Sequence, residues 1–157
     1  MSQKTANLRR IRNEVNQIRE QAQDYTNMFE IEMVGDDMYH WKAIIYGPED
    51  TLYNGYKFEV DIKLPDNYPF APPTVKFLTP IQHVNINDKG DICLDILKNN
   101  WAASQNIQSV LLSLRLLLSS PCPDDPLNSQ LAQLYRTDKK KYNKKIKDSC
   151  ASHAIRV

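Results

Sequence analysis

Regular alternation of apolar and polar residues in the N-terminal half restricts the fold more than any other feature. The sequences KFEVDIKL at 57–64 and FEIEM at 29–33 place an apolar side chain at every second position. Successive side chains of a strand point to opposite faces of a sheet, so this period is typical of antiparallel strands with one buried face. Residues 39–46 and 73–77 predict two more strands, with glycine, proline and asparagine between the segments. The sequence therefore predicts a four-stranded antiparallel meander.

Helical spacing of apolar residues occurs on both sides of this meander. In the opening segment, apolar residues recur three or four positions apart and arginines lie between them. This pattern predicts an amphipathic helix with a basic outer face. Residues 107–118 are strongly apolar and precede Pro121, which predicts a central core helix. Further helices are expected around 131–135 and from 137 or 138 onward; the lysines of the latter predict a solvated face, or alternatively an anionic docking patch. The fold class predicted is α+β, with an N-terminal helix, the meander, and central and C-terminal helices.

Length, charge and cysteine content exclude several classes of function. The chain has 157 residues and a formal net charge of +1, which suits a single domain over 1–157 and gives no general reason to expect nucleic acid or a membrane as a partner. No apolar run reaches the roughly 18 residues of a membrane span. Cys93, Cys122 and Cys150 are odd in number and widely spaced, and no signal peptide is evident. We therefore expect a reducing compartment, the cytoplasm or the nucleus. We also expect a monomer.

A long turn-rich segment between 80 and 106 contains the candidate reactive residue, Cys93. Long irregular segments in small domains are usually functional. His83 and Asn85 could assist a nucleophilic cysteine, but both precede Cys93 closely, and nothing places its thiol at a helix start where its pKa would fall. The residues alone leave a reactive thiol and an inert buried thiol as alternatives. The cysteines and histidines have no paired spacing, so no metal site and no cofactor are expected.

Five motifs resemble the ubiquitin-conjugating enzyme family in their order and spacing. They are YPFAPP at 68–73, HVNIN at 83–87, GDICLDIL at 90–97, the tryptophan at 101 and PCPDDPL at 121–127. The resemblance covers almost the whole chain and implies a bare catalytic core with the fold that the patterns predict. It also implies that the partners are ubiquitin, a ubiquitin-activating enzyme, ubiquitin ligases and lysines of protein substrates.

The resemblance implies a role for each polar residue around Cys93. Cys93 would accept the C-terminal glycine of ubiquitin as a thioester, and because that acyl group arrives activated, no histidine base is needed. Asn85 would stabilise the oxyanion of the transition state, or alternatively brace the loop through its amide. Asp125 would orient or deprotonate the attacking lysine, with a turn or cap residue as the alternative. Asp95 would gate that approach, and His83 would brace the loop.

The resemblance also implies a surface shared by the activating enzyme and the ligases. Its expected residues are Arg9, Arg10, Phe70, Ala103 and Ser104. The alternatives are a solvated basic helix face for the arginines and a core position for the phenylalanine.

Three departures from the family pattern leave the function open. Ala102–Ser104 stand where many members have Ser-Pro-Ala, Cys122 replaces an asparagine, and Val84 replaces the proline of a His-Pro-Asn motif within the structural loop. An active conjugating enzyme with Cys93 as nucleophile is the main interpretation. A non-catalytic ubiquitin-binding or scaffold relative, or a conjugating enzyme for a ubiquitin-like modifier, is the alternative.

Overall fold

An antiparallel sheet covered by helices forms the protein in the computed structural model, which describes residues 3–157, with side chains from residue 5 onward. Residues 1 and 2 of the expected 1–157 domain lie outside this range. In chain order the elements are α1 (Gln3–Glu20), β1 (Phe29–Val34), β2 (Asp37–Tyr46), β3 (Tyr56–Lys63), β4 (Thr74–Phe77), a 3₁₀ turn (Asp95–Leu97), α2 (Ile107–Ser119), α3 (Ser129–Thr137), α4 (Lys139–His153) and β5 (Ile155–Arg156). The α+β fold class is thus confirmed.

The sheet follows the predicted meander, with β1, β2, β3 and β4 as consecutive antiparallel neighbours. Phe58, Val60 and Ile62 of β3 are all fully buried, as the period of two predicts, and Val60 lies opposite Ala43 of β2. The two-residue strand β5, which pairs with the start of β3, was not predicted because two residues are too short to carry a periodic pattern.

Helices α1 and α2 cover the inner face of the sheet. Ile11 and Val15 of α1 and Leu111 and Leu114 of α2 are buried, and each such side chain contributes about 1.5–3 kcal/mol through removal from water. Asn106 caps α2, because its side chain accepts a hydrogen bond from the N–H of Ser109 at 2.8 Å. No helix within residues 3–157 is long and apolar enough to cross a membrane.

The segment between β4 and α2 is irregular, as predicted, and is attached to the sheet through Gly90. The Gly90 carbonyl accepts a hydrogen bond from the N–H of Phe77 at 2.9 Å. Gly90 has a φ of 87°, and a Cβ there would lie 2.1 Å from the Phe77 carbonyl oxygen, so this close approach requires glycine. The contact fixes the start of the chain that leads to Cys93.

Candidate functional site

Cys93 lies half-buried at the surface, between the irregular segment and the loop that precedes α3. Its N–H donates to the carbonyl of Asn85 at 2.9 Å. Its thiol donates to Oδ2 of Asp125 at 3.2 Å, across 32 residues of sequence. The structure thus brings together the candidate nucleophile and the acid that the resemblance implies at the same site.

The surroundings of Cys93 keep its thiol protonated at rest. The pKa of Cys93 is raised above its ordinary value, first by burial and then by the hydrogen bond to the Asp125 carboxylate. The Lys98 ammonium acts in the opposite direction, and the negative charges of Asp125 and Asp95 raise the pKa further. A hydrolase of the cysteine–histidine type needs a thiolate, so this site suits a thiol that reacts with an acyl group activated elsewhere.

The other two cysteines have different environments. Cys122 is exposed, in the loop that also contains Asp125, whereas Cys150 is buried in α4. Burial raises the pKa of Cys150 to about 11, so this thiol behaves as a core residue. Among residues 3–157, no three side chains of metal-ligating type lie close enough together to hold a metal ion.

Asn85 connects the Cys93 segment to the loop before α3. Its amide is 1% exposed, and Nδ2 donates to the carbonyls of Cys122 at 2.9 Å and Asp125 at 3.0 Å. Its Oδ1 accepts from the N–H of Cys122 at 2.8 Å. All these groups therefore brace the loop in the resting state, which is the bracing alternative left open by the sequence.

His83 and Val84 extend this connection. Nε2 of His83 donates to the Leu117 carbonyl at 2.8 Å, and Nδ1 accepts from the N–H of Asn85 at 3.0 Å, which requires the neutral ring. Burial lowers the pKa of His83 to about 4. The fully buried Val84 accepts two hydrogen bonds at its carbonyl, from the N–H groups of Leu127 and Asn128. Both residues therefore have structural contacts, and the hydrogen-bond partners of the Cys93 thiol in the described part of the chain are Asp125 and Lys98 instead.

The 3₁₀ turn Asp95–Leu97 redirects the chain immediately after the thiol. Asp95 is exposed, and its carbonyl accepts hydrogen bonds from the N–H groups of Lys98 at 2.9 Å and Asn100 at 3.1 Å. This turn places Nζ of Lys98 3.9 Å from Sγ of Cys93. The sequence did not single out Lys98, because nothing in a lysine five residues after a cysteine predicts that its chain folds back.

An open groove of about 410 Å³ runs beside this turn, between the turn and the outer face of α2. Its lining residues are Leu94, Asp95, Ile96, Asn100, Gln105, Ser113, Leu116, Leu117 and Ser120. Leu94, the residue that follows Cys93, lines this groove, so the groove adjoins the segment that carries the thiol.

The residues expected to contact partners lie on the surface formed by α1 and the neighbouring loops, but they are not equally accessible. Phe70 is 68% exposed, so it is not a core aromatic residue. Arg9 and Ser104 are exposed and Ala103 is half-buried. Arg10 instead forms hydrogen bonds within the chain, because its guanidinium donates to the Glu14 carboxylate at 2.9 Å and to the Gln105 carbonyl at 2.6 Å.

Glu14 joins α1 to the start of α2, a role that the sequence did not reveal. Its carboxylate accepts hydrogen bonds from Arg10, from the Tyr68 hydroxyl at 2.8 Å and from the N–H of Ile107 at 2.8 Å. The last contact places a negative charge at a helix N-terminus, where the helix dipole favours it. An acid four residues after Arg10 in a helix rich in arginine is the only sequence signal for this network.

The fold and the site define the class of the protein, and comparison with known proteins identifies the family. The family model described as ubiquitin-conjugating enzyme matches residues 10–150, and the chain belongs to this family. It is 52% identical over 151 residues to a probable ubiquitin-conjugating enzyme E2 of Acanthamoeba polyphaga mimivirus, covering 96% of each chain. The E2 domain of a Toxoplasma gondii ubiquitin conjugating enzyme is structurally similar, with a TM-score of 0.85 and 34% identity over 92% of this chain and 97% of that chain.

Proposed function

We propose that this chain is an active ubiquitin-conjugating enzyme that carries ubiquitin as a thioester on Cys93. Ubiquitin would come from an activating enzyme and pass to a lysine of a protein substrate, usually with a ligase. The observation that carries the proposal is the accessible Cys93 thiol with the Asp125 carboxylate 3.2 Å away. We expect the protein in the cytoplasm or nucleus, where such thiols stay reduced.

In the first step, the Cys93 sulfur attacks the thioester carbonyl carbon presented by the activating enzyme. A new carbon–sulfur bond forms and the thiolate of the activating enzyme leaves, so no net energy input is needed at this site. Because the pKa of Cys93 is raised, the attacking thiol also loses its proton within the complex, and that proton ends on the departing sulfur of the activating enzyme.

In the second step, a lysine amine attacks the thioester on Cys93. Once the sulfur is acylated, the Asp125 carboxylate has no thiol proton to accept and is available to the incoming amine. The hydrogen bonds from Asn85 to the carbonyls of Cys122 and Asp125 hold this acid in place. The carboxylate that accepts the thiol hydrogen bond at rest thus acts on the amine in this half-reaction.

A charging assay tests this function. The protein is incubated with activating enzyme, ATP and ubiquitin or ubiquitin-like modifiers, and the products are separated on non-reducing gels. We expect a reductant-sensitive adduct with ubiquitin, a reductant-resistant ester with Cys93→Ser, and no adduct with Cys93→Ala. Cys122→Ser is the matched control because it removes the other exposed thiol, and it should still charge.

The outcomes separate the alternatives. A Cys93→Ala protein that still charged would exclude Cys93 as the acceptor. Charging with a different modifier would assign the chain to a ubiquitin-like pathway. Failure to charge with every modifier would favour the non-catalytic relative, which the departures at Val84, Cys122 and Ala102–Ser104 leave open.

A further inference from the structure

The lysines of α4 concentrate positive charge on one element of the fold. The helix sequence KKKYNKKIKDSCASH contains six lysines and one aspartate, which gives it a formal net charge of +5. The whole chain has a formal net charge of +1, so the rest of the chain has a net charge of −4. Helix α4 is therefore a basic surface on a molecule that is otherwise acidic.

An open groove of about 500 Å³ lies between α4 and the chain that follows β4. Residues 77–82 and 87–90 and the C-terminal half of α4 contribute its lining. The groove is within the range of about 300–1,000 Å³ that is typical of ligand sites. Its lining shares no residue with the surface expected to contact the activating enzyme and the ligases, so it would serve a different partner.

The charges in this groove favour an anionic ligand. Lys89 and Lys145 line it, and neither has a carboxylate oxygen within 4.0 Å in the part of the chain that the structure describes. Two acids also line it. Asp148 is paired with Lys144 at 2.7 Å, which leaves the exposed Asp88 as the opposing charge. The groove thus has two cations to offer and one acid that opposes them.

The groove also contains an apolar contact point and hydrogen-bond donors. The side chain of Leu78 is 50% exposed and lines the groove. An apolar side chain of a ligand that packed on it would remove both surfaces from water. Ser149 and Ser152 line the groove as well, and their hydroxyl groups can donate hydrogen bonds to carboxylates. This combination suits a ligand with an apolar group next to negative charges.

The distribution of charge favours a short acidic peptide over a long polyanion. A 15-residue helix such as α4 is only about 22 Å long, whereas duplex DNA carries a negative charge about every 1.7 Å along its axis. A nucleic acid would extend beyond α4 onto the part of the molecule that has a net negative charge. A short peptide can keep all its carboxylates beside α4.

We propose that this groove binds an acidic segment of a partner protein. An apolar side chain of that segment would pack on Leu78, and carboxylates on either side of it would pair with Lys89 and Lys145. The groove includes the turn at 87–90, which ends three residues before Cys93. The partner would therefore be held next to the segment that carries the thiol, and its binding does not depend on the chemistry of that thiol.

The test measures the fluorescence anisotropy of a short labelled peptide, a leucine flanked by glutamates, as the full-length protein is added. We expect saturable binding that weakens as salt is raised, because salt screens contacts between exposed charges. Replacement of the peptide's leucine by serine, or of its glutamates by lysines, should weaken binding severalfold or more. A single-stranded oligonucleotide and phosphatidylserine vesicles are tested in parallel, and both should bind more weakly than the peptide.

Variants of the protein locate the binding site. Lys145→Glu should weaken binding on the order of tenfold or more, because it places a like charge against the peptide. Lys63→Glu is the matched control, since Lys63 is an exposed lysine of β3 outside the groove lining and the change in net charge is the same. Binding to Lys63→Glu should remain close to that of the parent.

Two further variants separate a charge effect from a loss of folding. Asp88→Asn should strengthen binding severalfold, because it removes the opposing acid from the groove, and a gain in affinity does not arise from unfolding. Leu78→Ser should weaken binding severalfold through loss of the apolar contact. Amide shifts in NMR spectra should change at 77–82 and in the C-terminal half of α4.

Four results would overturn the inference. They are absence of saturable peptide binding at low salt, equal losses in Lys145→Glu and Lys63→Glu, tighter binding of the oligonucleotide or the vesicles than of the peptide, and amide shifts confined to another surface. None of these measurements uses an activating enzyme or a charged thiol, so their outcome is independent of the proposed function.

Discussion

The side-chain amide of Asn85 contacts the main chain of Cys122 twice: Oδ1 accepts its N–H at 2.8 Å and Nδ2 donates to its carbonyl at 2.9 Å. The second N–H donor of the amide serves the Asp125 carbonyl at 3.0 Å. An oxyanion contact would need one of these hydrogen bonds to break. In the resting protein, Asn85 therefore supports the acid rather than pointing at the thiol.

Replacement of this amide tests the bracing role. Asn85→Ala removes three hydrogen bonds between a residue that is 1% exposed and the loop before α3, so the free energy of unfolding should fall by about 1–3 kcal/mol. Urea unfolding measures this, and Asn100→Ala, at an exposed position, is the control. Unchanged stability combined with slow ubiquitin transfer would contradict bracing and support oxyanion stabilisation.

The charges around Cys93 predict that two variants shift the pKa of its thiol in opposite directions. Asp125→Asn should lower the pKa of Cys93, because the carboxylate raises it, and Lys98→Gln should raise it further. The rate of alkylation by iodoacetamide is measured across pH in a Cys122→Ser background. The midpoint of its rise with pH gives the pKa of the Cys93 thiol. At neutral pH, Asp125→Asn should react faster than the parent. Identical inflections in both variants would show that these charges do not act on the thiol.

Asp125 should matter more for discharge than for charging. Asp125→Ala should slow transfer from the Cys93 thioester to added lysine by about tenfold or more, with a much smaller loss in thioester formation, because its decisive action is on the amine. Single-turnover assays of each half-reaction give the two rates. The exposed Asp124, whose carboxylate pairs with Arg136 instead, provides the control Asp124→Ala. Equal losses in both half-reactions would indicate a folding or docking role.

The buried ring of His83 predicts a loss of stability in weak acid. Its pKa is about 4 in the folded protein and 6.5 in the unfolded chain. Between these values the unfolded chain binds a proton that the folded protein excludes, so stability is complete above about pH 6.5 and falls as the pH drops toward 4. Urea unfolding should show a loss of about 2 kcal/mol from this ring between pH 7 and pH 5. An NMR titration in which the His83 ring inflects near 6.5 would contradict the expectation.

Val84→Pro should stabilise the protein. Within the described residues the N–H of Val84 has no acceptor, while its carbonyl accepts two hydrogen bonds that proline retains. Proline also restricts the unfolded chain, which is worth about 0.4–1 kcal/mol where the native backbone accepts it. Thermal unfolding measures the change, and Val84→Ala should lower the melting temperature because Val84 is fully buried. A lower melting temperature for Val84→Pro, with slower transfer, would mean that the loop backbone rejects the proline.

The sequence by itself determined the elements of the fold and the family. The alternation at 57–64 predicted β3, and the apolar spacing at 107–118 predicted α2, because a repeat of two or of three to four residues states directly which face of an element is buried. Cys93 was identified as the candidate nucleophile by the resemblance of its motif to a family, since its neighbours alone left a reactive and an inert thiol as alternatives. Information of this kind is local, which is why the two-residue β5 remained undetected.

Only the tertiary structure decided which polar groups meet. Asp125 reaches Cys93 across 32 residues, and Glu14 reaches the N–H of Ile107 across 93. Even Lys98, five residues from Cys93, depends on the 3₁₀ turn and on how that turn packs beside α2. These contacts follow from the packing of whole elements against one core. A short sequence pattern does not predict that packing, because the position of each loop depends on side chains far away in the chain.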